Sequence, residues 1–172
     1  PQYNVGVTGL ALLAFLGAGY GGRGTSPFAS TVERGLRYLT STQDEEGCFG
    51  SRSTGHYVYN HAIATLAMLE GFDRTPGDVV RRSAQRGIAF ADLARNPGFA
   101  WRYGVRPGDN DTSTTGWFAQ ALARARELNA REDLAGRREP FTFDPLAFDG
   151  IRTWLDKMTD PDTGRVGYQQ RG

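Results

Sequence analysis

Gln43-Asp44-Glu45-Glu46-Gly47-Cys48-Phe49-Gly50 decides the fold, because the segment returns twice in degraded form. The later copies are Asn96-Pro97-Gly98-Phe99-Ala100-Trp101-Arg102-Tyr103 and Asp160-Pro161-Asp162-Thr163-Gly164-Arg165-Val166-Gly167-Tyr168. Each is a polar turn with a glycine followed by an aromatic, and each closes a pair of helical segments. Self-similarity at a fixed period marks an array whose units bury their faces against one another.

Working outward, the helical segments fall into two sets. Val7 to Ala14, Asn60 to Ala67 and Thr114 to Ala121 align with a small residue at Gly9, Ala62 and Gly116, a spacing of 53 and then 54 residues. These helices are apolar over most of their circumference, so they read as an inner layer in which Gly and Ala allow close packing. Val32 to Leu39, Ser83 to Phe90 and Ala147 to Leu155 carry apolar residues at helical spacing with charges opposite, the pattern of an outer layer half in water. Glycine, proline and polar runs lie between paired helices. Asp78 and Ser30 are expected caps for helices beginning at Val79 and Thr31. The link from Arg131 to Pro145 is an insertion, either a lid or a tolerated loop. The expected fold class is all-α with little strand. One domain spans residues 1–172, with repeats at approximately 4–55, 56–108 and 109–172.

Composition narrows the function classes. The chain has 172 residues, 39% hydrophobic and 23% charged, enough for one sizeable core. Its 20 basic residues are scattered among 19 acidic ones for a formal charge of +1, which gives no stripe for nucleic-acid phosphates. The apolar run from Val5 to Tyr20 has no Lys or Arg before it and is too short to span a bilayer, so no membrane span is expected. Cys48 is the single cysteine, excluding an intrachain disulfide and a thiolate metal cluster.

The repeat resembles the prenyltransferase and squalene-cyclase repeats, in which the turn after the outer helix carries Gln, an acidic residue, Gly and an aromatic, as Gln43 to Phe49 does. Tyr59 to Ala67, Gly98 to Tyr103 and Gly108 to Trp117 are similar to a bacterial branch of that family described only as repeat-containing. The resemblance covers nearly the whole chain and implies an α/α toroid. A complete ring there has about twice as many hairpins, so three hairpins correspond to an open arc, a half or a fragment. The open flanks suggest a two-fold homodimer completing the ring.

The resemblance also frames the candidate sites. Class II terpene cyclases carry D-x-D-D, whose middle acid protonates an alkene or epoxide; Asp109 and Asp111 match its first and third positions, and Thr112 replaces the last Asp. Such an acid needs a hydrogen-bonded partner and a dry aromatic cavity. The competing reading makes Asp111, Thr112 or Ser113 a helix cap. His61, beside Tyr59 and Asn60 at the start of the second inner helix, is a candidate ligand-binding residue or a packing histidine. Thr115, Trp117 and Trp101 are candidate lining residues, and the family's own use of the turn aromatic is structural packing. Protein prenyltransferases hold zinc with Asp, Cys and His. The equivalent helix starts here offer Tyr59, His61 and Asp111 to Thr115 without Cys, so no metal or cofactor is expected. Gly47-Cys48 also resembles the thioester site of macroglobulin and complement toroids, but Ser51 stands where that bond requires Gln. Two functions follow: a non-catalytic module binding a protein segment or an apolar small molecule on its inner face, or a cyclase-type isomerase with Asp111 as acid and Asp109 as its partner.

Overall fold

The structure, a computed structural model, describes residues 2–24, 26–131 and 139–172. It is all-α: α1 (Asn4–Gly17), α2 (Ala29–Ser41), α3 (Tyr57–Arg74), α4 (Asp78–Ala94), α5 (Thr112–Ala130) and α6 (Ala147–Met158). Among the described residues, extended pairing is confined to isolated bridges between Gln43 and Phe49 and between Thr159 and Val166. None of the described helices is long and apolar enough to cross a membrane.

Consecutive helices pair as hairpins, and α3 lies between α1 and α5 while α2, α4 and α6 pack against their own hairpin partners. Burial follows the composition. Helix α3 has 13 of its 18 residues buried, which fits a helix with neighbours on nearly every side. Helices α2, α4 and α6 bury one stripe each, Val32, Leu36 and Leu39 being that of α2. Close approach of α1 to α3 depends on Gly9: a Cβ there would stand 2.9 Å from Ile63 Cγ2 and 3.3 Å from the Ala64 nitrogen. Gly116, aligned with it in sequence, is different. A Cβ at Gly116 would meet nothing within 4 Å, because no helix lies on that side of α5 among the described residues.

The repeated turns share a construction. Gly47, Gly98 and Gly164 take φ of +96°, +70° and +71°, a region that L side chains rarely adopt. At Gly47 the restriction is absolute, since a Cβ would lie 2.2 Å from the Arg86 carbonyl oxygen. Each turn then turns its apolar residue inward where a following helix exists. Phe49 and Trp101 are fully buried. The third turn departs from this pattern: Val166 and Tyr168 are 50% and 45% exposed, with no further helix to receive them among the described residues.

Two local expectations are corrected. Helix α4 is capped by the extended Gly77, and Asp78 is its first residue, where its carboxylate complements the helix dipole. Helix α2 begins at Ala29 with Phe28 at the N-cap, and the Ser30 hydroxyl accepts from Arg34 one turn later. In the Gly-rich stretch after α1 the buried Gly22 N–H donates to Thr75 Oγ1 at 2.7 Å. Of the Arg131 to Pro145 insertion, residues 132–138 lie outside the described residues. The remainder is strapped to α4: the Thr142 N–H and carbonyl pair with the Gln85 amide, and the Asp144 N–H donates to Asp92.

Candidate functional site

The residues singled out in the sequence lie on α3 and α5 and in the turns that lead into them. Asp111 is fully buried and is the N-cap of α5. Its Oδ1 accepts from the Thr114 N–H and from Ser113 Oγ, both at 2.7 Å, and its Oδ2 accepts from Thr114 Oγ1 at 2.9 Å. The bond from the Thr114 N–H satisfies an orphan backbone donor of the first turn. Asp109, two residues earlier, points elsewhere and forms an ion pair with Arg102. The two carboxylates are therefore not brought together as an acid and its partner. Asn110, between them, is buried and accepts from the Ala100 N–H and from Asn96 Nδ2, tying the second turn to the entry of α5.

His61 is fully buried in α3. Its Nδ1 accepts from the Phe49 N–H at 3.0 Å, which makes the other nitrogen the protonated one, and Nε2–H donates to the Gly87 carbonyl at 3.0 Å. Burial pushes its pKa down to about 4, so the ring is neutral at pH 7. One side chain thus fastens the first turn, α3 and α4. Thr115 fills the matching place one repeat on, where its Oγ1 accepts from the Trp101 N–H at 3.3 Å. The Trp101 indole is itself fully buried and donates to the Ala91 carbonyl at 2.8 Å. Cys48 is buried too, and burial pushes its thiol up to about 12, leaving it protonated and inert at neutral pH. Among the described residues no three His, Cys, Asp or Glu side chains converge as a metal site.

Tyr59 and Trp117 behave differently. Both are only partly buried, and the Trp117 indole donates to the Tyr59 hydroxyl at 2.9 Å across the α3–α5 contact. Tyr59 belongs to a depression of about 460 Å³ with Tyr3, Val7, Leu10, Asn60, Ile63 and Tyr103. Trp117 belongs to a second of about 600 Å³ with Leu13, Leu66 and Gln120, and Leu10 lines both, so they form one groove along the open face of α1, α3 and α5. Asn60 is held at the rim by its Nδ2 bond to the Gln2 carbonyl. The far end of the groove is charged: Arg124 is gripped by Glu70, Asp73 and Glu127, with Arg74 alongside.

Of the eight candidate residues, Tyr59, Asn60 and Trp117 line this groove, whereas His61, Thr115, Trp101 and Asp111 lie beneath it and Asp109 beside it. Tyr3, Val7, Leu10 and Ile63 were not singled out beforehand. For Val7 and Leu10 the signal was the absence of any charged residue from α1. Compared with family models, curated proteins and solved structures, the chain matches none.

Proposed function

We propose that this chain is a repeat module, one arc of an α/α toroid, that binds an apolar ligand or the apolar side of a protein segment in the inner-helix groove without catalysing a reaction. One observation carries this reading. The polar groups beneath the groove, Asp111, His61 and Thr115, are consumed in holding turns and helices, while the groove surface is mostly apolar and aromatic, with His56, Asn60 and Ser113 among its lining and a charged terminus. Such a surface gains affinity by burying apolar area, at roughly 25 cal/mol per Å². No observation favours Asp111 as a general acid, since both its oxygens already accept bonds from the helix it caps.

The test is a titration with farnesol as a long apolar probe, read by tryptophan emission. Of the three tryptophans, Trp101 and Trp154 are buried, which leaves Trp117 as the residue that senses the groove. A saturable blue shift is expected, with affinity at least tenfold weaker in Tyr59→Ala. Absence of a saturable shift, or recovery of cyclised or isomerised farnesol, overturns the reading.

A further inference from the structure

The segment Glu139-Pro140-Phe141-Thr142-Phe143-Asp144 has no helix or strand of its own, yet it is gripped as one strand grips another. The N–H and carbonyl of Phe141 both pair with the Asn129 side-chain amide of α5, each at 2.7 Å. Those of Thr142 both pair with the Gln85 amide of α4, each at 2.9 Å. Successive residues thus turn their backbone groups to opposite sides, the alternation of an extended chain lying between two partners. Side chains are read as well. Phe141 is 5% exposed, edge-on to the Phe72 ring and beneath the Arg81 guanidinium, which also donates to the Glu139 carbonyl at 2.6 Å. Arg95 forms an ion pair with Asp144, and the Asp144 N–H donates to Asp92 at 3.0 Å. Arg81, Gln85, Asp92 and Arg95 follow one another at four, seven and three residues, which places them along one face of α4 and its C-cap.

We propose that this face of α4, with Asn129, is a peptide-binding site now occupied by the chain's own segment, and that it takes in trans an extended peptide carrying Phe and, three residues later, Asp. The side-chain amides read backbone groups that any extended peptide offers. The Phe141 pocket and the Arg95 guanidinium add selectivity, the division of labour in strand-like peptide recognition. The bonds from Arg81 and Gln85 are exposed to solvent, so water competes for them and the segment is displaceable. The occupant also fits incompletely: Asp92 Oδ1 and Arg95 Nε are buried on this face with no hydrogen-bond partner among the described residues. A competing peptide can satisfy groups that the chain's own segment leaves unmet. None of these residues lines the inner-helix groove, so the inference stands without the groove reading.

The experiment is fluorescence anisotropy of a fluorescein-labelled peptide Glu-Pro-Phe-Thr-Phe-Asp with blocked ends, titrated with the 172-residue chain and its variants. The tethered segment competes at an effective concentration on the order of millimolar, so the wild type is expected to bind the peptide weakly. Asp144→Ala frees Arg95 and is expected to bind at least tenfold more tightly, and adding Gln85→Ala to it is expected to reverse that gain. The Asp144 side chain is 36% exposed, so the substitution leaves the core intact, which unchanged far-UV circular dichroism checks. A second readout needs no variant: with excess peptide, the Phe141 and Thr142 amides of the wild type are expected to exchange with deuterium at least tenfold faster. No gain in Asp144→Ala, equal binding of a peptide whose first Phe is replaced by Ala, or unchanged amide exchange would each overturn the proposal.

Discussion

His61 offers the sharpest energetic test, because its burial and its hydrogen bonds make a quantitative statement about pH. In the folded chain its pKa is lowered to about 4 from the ordinary 6.5. Above 6.5 the ring is neutral in both states and its full contribution is present. As pH falls below 6.5, the unfolded chain takes up a proton that the folded chain refuses, and stability drops at up to about 1.4 kcal/mol per pH unit until the folded pKa is reached. The whole shift corresponds to about 3 kcal/mol. Groups other than His61 contribute to the pH dependence of stability, so the clean quantity is a difference between two proteins. In His61→Asn the amide oxygen can still accept the Phe49 N–H, but the Gly87 carbonyl loses its donor and a small cavity opens. That costs roughly 2–4 kcal/mol at pH 7.5. The variant has no imidazole to titrate. Its deficit relative to wild type should therefore shrink by about 2–3 kcal/mol between pH 7.5 and pH 4.5. Urea denaturation at a series of pH values, followed by circular dichroism, measures this directly. A deficit constant across that range would mean that His61 is not the buried neutral tie between the turn, α3 and α4.

The glycines divide in the same quantitative way. Gly47→Ala should cost more than about 2 kcal/mol, combining a strained φ with collision against the Arg86 carbonyl, whereas Gly116→Ala should stabilise the monomer by about 0.5–1 kcal/mol; thermal melts at low concentration compare them. Asp111→Ala should lose about 1–2 kcal/mol of stability with Asp111→Asn much closer to wild type, the ranking of a cap and not of an acid, read by the same denaturation curves. Cys48 should resist a thiol reagent such as Ellman's in the native protein and react promptly in urea; rapid native labelling would contradict its burial and raised pKa.

Much of the fold was legible because a two-helix period leaves repeated marks. The turns at Gly47, Gly98 and Gly164 needed glycine for backbone reasons, and Phe49 and Trp101 needed a hydrophobic seat, so sequence similarity reported real geometry. Gly116 shows the limit of that logic. Aligned with Gly9 in sequence, it has open space where Gly9 is filled, because filling depends on a neighbour that sequence register does not supply.

The site was less legible for a related reason. Asp109 and Asp111 are two residues apart, and spacing alone does not say that one turns to Arg102 while the other turns back onto its own helix. The sequence left His61 as either a ligand-binding or a packing residue, because its partners, Phe49 and Gly87, lie 12 and 26 residues away in the chain. Tyr59 and Trp117 were visible as aromatics near helix starts. Their mutual hydrogen bond depends on the packing of α3 against α5, which only the assembled row provides.

The most direct test of the binding account is photolabelling with a long-chain aliphatic alcohol carrying a diazirine, followed by peptide mapping. Saturable labelling should fall on residues 3–13, 57–66 and 113–120, the walls of the groove, and unlabelled farnesol should compete it away. Labelling concentrated on α2 or α4, or labelling that farnesol does not displace, would contradict the inner-helix groove as the binding surface.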